Sequence, residues 1–367
     1  MATSVPGDAP QTGGLSARSV AIHHVRASLL GARRHGVDTA ALLTRAGISP
    51  QLLNAPLARV SPQQFARLTR ELWYALDDEL QGFGPQPLKL GTFAMMCHAV
   101  LHRSPDLRSA LRRCAAFYRL FPGGPQFRVV ENGAGNENRA GVLAGGEPCG
   151  TGRVVFDLSA FDDPEHYLAE SVTVVLHRFA GWLIRRRIGL RRVELGYPAP
   201  AHVLEYHLLY GAPCVFDAPD TALVFDRGVL DQPVLQDEAG LRVFLLRAPA
   251  DMLARREYGS TAATRVRRLL GQASPDRMPT PESVAARLAV SPQTLRRQLA
   301  TEGTTFQQIR DRLRRDVAIA ALAAGTASIE DLSRRLGFSE PSAFHRAFKR
   351  WTGCTPRAYQ PGTGQSP

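Results

Sequence analysis

A chain of 367 residues, 44% of them hydrophobic, has room for roughly two or three domains with cores of their own. Its net charge of +12 suits a polyanionic partner. The longest uncharged stretches, LGTFAMMCHAVLH (90–102) and VAIAALAAGTASI (317–329), fall short of the roughly 20 apolar residues that a bilayer span requires, so no membrane partner is expected.

MATSVPGDAPQTGG at the start has neither a basic beginning nor an apolar core, so residues 1–18 are predicted to be a disordered tail and the chain to be cytoplasmic. Five cysteines are scattered without C-x-x-C spacing, which argues against a disulfide framework and against a zinc finger. Helical period then runs through DTAALLTRAG (38–47), SPQQFARLTRELWYAL (61–76), GTFAMMCHAVLH and SPDLRSALRRCAAFYRLF. Ser61 stands as an N-cap before Pro62 in the second of these. Short β-like runs follow at QFRVV (126–130), RAGVLA (139–144) and RVVFDLS (153–159).

A long helix is predicted in PEHYLAESVTVVLHRFAGWLIRRR, with Leu168, Val172, Val175, Leu176, Phe179 and Leu183 on one wide apolar face. A strand at VELGY, a helix at AHVLEYHLLYG and strands at CVFD and ALVFD complete an α+β pattern, and LRVFLLRAPADMLARRE is a further helical stretch. The expected division is an α+β effector-sensing and dimerisation domain over 19–250, a linker over 251–263, and an all-α domain over 264–362. Charge shifts at the same place. Residues 264–367 hold 17 Lys+Arg against 8 Asp+Glu, so most of the excess sits in the last third.

That last third contains a repeat. ESVAARLAVSPQTLRRQLATEG (282–303) and EDLSRRLGFSEPSAFHRAFKRWTG (330–353) each read as a short helix, a tight turn, and a Ser-initiated second helix. Val284, Leu288, Val290, Leu295 and Leu299 point inward in the first; Leu332, Leu336, Phe338, Phe344 and Phe348 match them in register in the second. This is the helix-turn-helix pattern, in which one helix braces another whose first turns enter a major groove. TFQQIRDRLRRDVAIAALAAG (305–325) between them is a strong helix former closed by Gly325. About 19 helical residues span ~28 Å, near the ~34 Å between successive major-groove faces of a duplex.

Residues 265–360 resemble the DNA-binding domain of the AraC/XylS family of bacterial transcription regulators. Gly337, Phe338, Ser342, Phe344, Arg346, Phe348, Lys349, Gly353, Thr355, Pro356 and Tyr359 carry the likeness. The resemblance implies two helix-turn-helix units on one long helix, sequence-specific binding to double-stranded promoter DNA, and contact with RNA polymerase. Carried over residue by residue, the DNA readers are Gln293, Thr294, Arg296 and Arg297 in the first unit. Pro341, Ser342, Ala343, His345 and Arg346 are those of the second. Two departures stand out: Ala289 where the family prefers glycine, and Gln360 at a position often basic.

Residues from about 20 to 250, through SPDLRSALRRCAAFYRLF and YPAPAHVLEYHLLYGAPCVFDAPDTALVF, resemble the arabinose-binding-type ligand domain of one subgroup of that family. That likeness implies control by a small-molecule effector, of unknown identity and with unknown ligand-binding residues, and a homodimer. An activator is expected. The alternatives are control by a protein partner, or an enzymatic N-terminal domain tethered to DNA.

Catalytic patterns are absent from the sequence: it has no G-x-S-x-G, and no phosphate-binding glycine loop. Cys149 and Cys214 stand too far apart for the cysteine cluster of methyl-accepting repair proteins. His98 and His102 stand one helical turn apart with no acidic residue between them, a spacing more often structural than metal-binding. No catalytic residue, cofactor or metal is therefore expected. The basic run RRRIGLRR (185–192) reads first as a solvated face.

Overall fold

The computed structural model describes residues 19–132, 150–247, 261–273 and 278–360. The tail 1–18, the strand expected at RAGVLA, Cys149 and linker residues 251–260 lie outside them. The chain divides into two compact units. One comprises Val20–Leu53 and Pro62–Gly259; the other runs from Ser260 onward and also takes in Ser19 and Asn54–Ser61.

The N-terminal unit begins with three helices, α1 (Ile22–Arg34), α2 (Thr39–Ala46) and α3 (Pro62–Leu76). Asp38 starts α2 by accepting from the backbone N–H groups of Ala40 and Ala41, and Gly47 ends it in the left-handed region. Helix α1 has no counterpart among the sequence-based expectations. Next come α4 (Thr92–Leu101) and α5 (Leu107–Tyr118); Asp106 and Ser109 close a capping box at the start of α5.

A five-stranded sheet follows, formed by β1 (Gln126–Asn132), β2 (Thr151–Asp157), β3 (Leu190–Glu194), β4 (Cys214–Val215) and β5 (Thr221–Asp226). Their order across the sheet is β1-β2-β5-β3-β4, antiparallel except for the β3–β4 pair. Val154, Val155 and Phe156 are all buried, so β2 is covered on both faces. Strand β3 starts before the expected VELGY because Leu190 pairs with Phe225 across an irregularity in register.

Helix α6 (Tyr167–Leu183) is buried round most of its circumference. Leu176 and Ala180 line one small apolar gap together with Val154 and Leu223 of the sheet. His177 is held inside by a 2.9 Å hydrogen bond between its Nε2 and the Ile188 carbonyl, and burial lowers its pKa to about 4. Helices α7 (Val203–Tyr210) and α8 (Glu238–Arg247) complete the α+β unit.

The C-terminal unit is helical: α9 (Ala262–Gly271), α10 (Pro281–Arg287), α11 (Pro292–Thr301), α12 (Phe306–Ala324), α13 (Ile329–Arg335) and α14 (Pro341–Thr352). The 19-residue α12 is the long connecting helix, begun by a Thr305–Gln308 capping box and ended by left-handed Gly325. No helix of the described residues is long and apolar enough to cross a membrane.

Candidate nucleic-acid interface and effector cavity

Helices α11 and α14, the second helix of each helix-turn-helix unit, owe their positions to a buried seam. In the first unit Val284, Leu288, Leu295 and Leu299 join Val266 and Leu270 of α9 and Ile309 and Leu313 of α12 in one core. In the second, Phe344 packs on Phe338 and Phe348, with ring centroids 5.6 Å apart in both cases, and Tyr359 closes on Phe348 edge-to-face at 5.1 Å. Leu295 is 2% exposed and Phe344 fully buried, so each helix has one side fixed and the other free.

Thr280, Ser291 and Ser328 cap α10, α11 and α13 by accepting a backbone N–H three residues on. Helix α14 differs from its reading as a Ser-initiated helix. Glu340 precedes Pro341 without a side-chain cap, because a proline at the first position leaves one fewer donor to satisfy.

The free sides carry the residues that the resemblance implied. Gln293, Arg296 and Arg297 of α11 are exposed, as are Pro341, Ser342 and Arg346 of α14; Thr294, Ala343 and His345 are half-buried. The Thr294 hydroxyl lies 2.8 Å from the Ser291 hydroxyl, and the Ser342 hydroxyl donates to Glu340 at 3.0 Å, so both are engaged within their own helix starts. Arg297 and Arg346 make no ion pair among the described residues. Gly337 has φ +73° and Ala289 has φ +57° at the equivalent turn. An L side chain in that left-handed region costs about 1 kcal/mol.

Asp316 is a polar element the sequence reading passed over. It lies on the inner side of α12, three residues from Leu313 and from Ile319, and is buried. Arg267 and Arg315 each approach its carboxylate to 3.0 Å, and the Ser19 hydroxyl donates to it at 2.5 Å. Arg59 in turn donates to Ser19, and its backbone N–H donates to the Tyr359 hydroxyl at 3.2 Å. Burial alone would raise this carboxyl, but the guanidiniums of Arg315, Arg267 and Arg59 and the Ser19 hydroxyl hold it at about 2. A carboxylate on the apolar stripe of a predicted helix was the available signal.

The N-terminal unit contains a cavity of about 130 Å³ between α3, α4, α5 and α6, walled by Trp73, Phe93, Met96, Phe127, Val172 and Phe179 among others. Val172 and Val175, expected on the inner face of α6, are only half-buried because they line this space. At its edge the acidic run Asp77-Asp78-Glu79 divides its labour. Asp77 pairs with Lys89 on the surface, while Asp78 gathers the N–H groups of Leu80, Gly82 and Leu88. Glu79 lines the cavity and caps α4, its two oxygens accepting from Gly91 and Phe93 at 2.8 Å each. Burial raises its pKa to about 7 despite those two hydrogen bonds.

Glu238 of α8 joins the histidine pair noted in the sequence: His98 Nδ1 lies 3.2 Å from one of its oxygens and His102 Nε2 3.7 Å from the other. Their ligand-capable atoms lie within 4.8 Å of one another. Sequence spacing could not reveal this partner, which lies on another helix. The four described cysteines are free thiols, Cys97 and Cys114 buried. In the run 185–192, Arg191 pairs with Asp226 and Arg192 with Glu194, while Ile188 is buried.

Two helix-turn-helix units on one long helix, joined in sequence to an α+β unit with an apolar cavity, define a DNA-binding regulator with a ligand-sensing domain. Comparison with known families agrees. Residues 36–234 match the N-terminal arabinose-binding domain of AraC transcription regulators, and residues 284–361 match a helix-turn-helix domain. The chain belongs to the AraC family of transcription regulators.

Among its relatives is the ornithine utilization regulator of Pseudomonas aeruginosa, 28% identical over 347 residues, 94% of this chain and 97% of that one. The transcriptional regulator VqsM of the same organism is 42% identical over 79 residues, 22% of this chain and 24% of that one. An uncharacterized regulator of Mycobacterium bovis is 35% identical over 136 residues, 37% and 39% of the two chains.

Proposed function

We propose that α11 and α14 read successive major grooves of one promoter face. Arg296, Arg297 and Gln293 supply most of the base recognition in the first unit, with Thr294 beside them. Arg346 and His345 do so in the second, where Pro341, Ser342 and Ala343 contribute contacts to methyl groups and to DNA shape. The observation that supports this most is the pairing of a buried face with unpaired exposed arginines on both helices. Arginine grips guanine O6 and N7 with two hydrogen bonds, worth about 1–3 kcal/mol of discrimination.

The protein on this reading is a cytoplasmic activator that works by binding and not by catalysis, acts as a homodimer, and touches RNA polymerase once seated. Its effector enters the cavity walled by α3–α6. The name of the relative that matches over 347 residues points to ornithine; the described lining offers no cation for an α-carboxylate.

The test begins with sites selected by the full chain from random duplexes. Arg297→Ala is expected to relax the preference at one base position and to lower the salt dependence of binding by about one phosphate-equivalent at most. Unchanged preference at every position would remove Arg297 from the interface.

A further inference from the structure

The chemistry of the cavity narrows what enters it. Among the described lining residues none is Arg, Lys or His, and the walls are aliphatic and aromatic. A ligand carboxylate or phosphate inside would lose its water without gaining a counter-charge, a cost of several kcal/mol. Sugars fare no better, since most of their hydroxyls would meet carbon.

The one charge-bearing carboxylate on the lining is Glu79, and no cationic side chain pairs with it among the described residues. Its two oxygens provide about four acceptor positions. Gly91 and Phe93 take two, which leaves capacity for further donors. Asp316, by contrast, shows what this chain does with a carboxylate it means to keep closed: three guanidiniums surround it.

The cavity of about 130 Å³ approaches the ~150 Å³ that admits benzene in an engineered protein core, so it takes about one aromatic ring or a short alkyl chain. Trp73, Phe93 and Phe179 offer ring faces on which a cation or a second ring is stabilised.

We propose that the effector is a small hydrophobic amine, a single aromatic ring or short alkyl chain carrying one ammonium group, which donates to the Glu79 carboxylate while its apolar body fills the space between α3 and α6. This rests on reading the cavity as the effector site. The raised pKa of the empty carboxyl is consistent with it: burial leaves Glu79 short of a positive partner, and an ammonium supplies one.

The test uses the full-length protein and three probes of one shape at pH 8: 2-phenylethylamine, its neutral isostere propylbenzene and its anionic counterpart 3-phenylpropionate. Calorimetric titration is expected to give an affinity for the amine about tenfold or more above that for propylbenzene, with 3-phenylpropionate weakest. Glu79→Gln should bring the amine and propylbenzene to within about threefold, while Glu79→Asp, which keeps the charge, retains the preference. Comparing probes within one variant cancels any loss of the α4 cap. Val172→Phe, which fills the cavity, should abolish binding of all three.

Binding of propylbenzene that Val172→Phe removes, without a preference for the amine, overturns the ligand class and leaves the cavity as a ligand site. An amine preference that survives Glu79→Gln does the same. If none of the three probes binds, the cavity reading falls as well.

Discussion

Asp316 and Glu79 are two acids with opposite surroundings, one in each unit. Asp316 lies inside the C-terminal unit among Arg315, Arg267, Arg59 and Ser19, and is held at about 2. Glu79 faces a cavity without a cation among its described neighbours and is raised to about 7. The contrast separates a charge used for structure from one left available. In the C-terminal unit Asp316 gives Arg267, Arg315 and Arg59 a shared internal carboxylate, whereas Arg297 on α11 and Arg346 on α14 make no ion pair among the described residues. In the N-terminal unit the uncompensated carboxylate marks the place where an external group completes the site.

The largest effect expected on the C-terminal side comes from its apolar seam. Phe344→Ala removes a fully buried ring that packs on Phe338 and Phe348, and should destabilise that unit by about 3–5 kcal/mol. Hydrogen exchange would localise the loss to residues 329–359 and leave the sheet protected. Equal deprotection of both units would show that they do not unfold independently.

Asp316→Ala strands three guanidiniums and should cost about 3–5 kcal/mol. Its pH signature sharpens the comparison. Because the folded pKa of Asp316 lies below the usual 3.8, its contribution is present above about pH 4 and is lost as pH falls toward 2. Glu79 acts with the opposite sign. Its folded pKa is raised from 4.5 to about 7, so the N-terminal unit loses stability as pH rises between those values, with Asp78 adding to the repulsion. Glu79→Gln should flatten that decline in a pH series of denaturant midpoints; a slope identical to that of the unaltered chain would show that the carboxyl is not shielded from water.

The smallest effect lies at the paired turns. Ala289→Gly should stabilise the first unit by about 1 kcal/mol, and Gly337→Ala should weaken the second by a similar amount. Midpoints that move in the same direction would mean that the two turns are not equivalent.

The C-terminal unit was largely legible in the sequence because its information is local. A 3.6-residue apolar period, Ser and Thr caps and Gly325 set each helix, and the buried residues Leu295, Leu299, Phe344 and Phe348 were named from spacing alone. The conformation of Ala289 was also readable as a departure from glycine, and its φ is indeed positive. What stayed hidden there depends on sequence-distant partners. Ser19 and Arg59 reach Asp316 across 297 and more than 250 positions, and no period records that.

In the N-terminal unit the helices and strands were visible but their use was not. Val172 and Val175 read as core because an apolar residue on a helix face carries the same pattern whether it meets a side chain or an empty space. The role of Glu79 had no mark in the sequence, since the backbone donors of Gly91 and Phe93 that fold over it have no sequence signature. Glu238 illustrates the same limit, joining His98 and His102 from a helix more than a hundred residues away.

If α11 and α14 both read DNA, the 19-residue α12 between them should set them about one duplex turn apart. Footprinting of the full chain on a selected site tests it most directly, with Arg297→Ala and Arg346→Ala alongside. Two protected major-groove patches about 10 base pairs apart on one face are expected, the first weakened by Arg297→Ala and the second by Arg346→Ala. A single continuous patch, or two variants that weaken the same one, would contradict it.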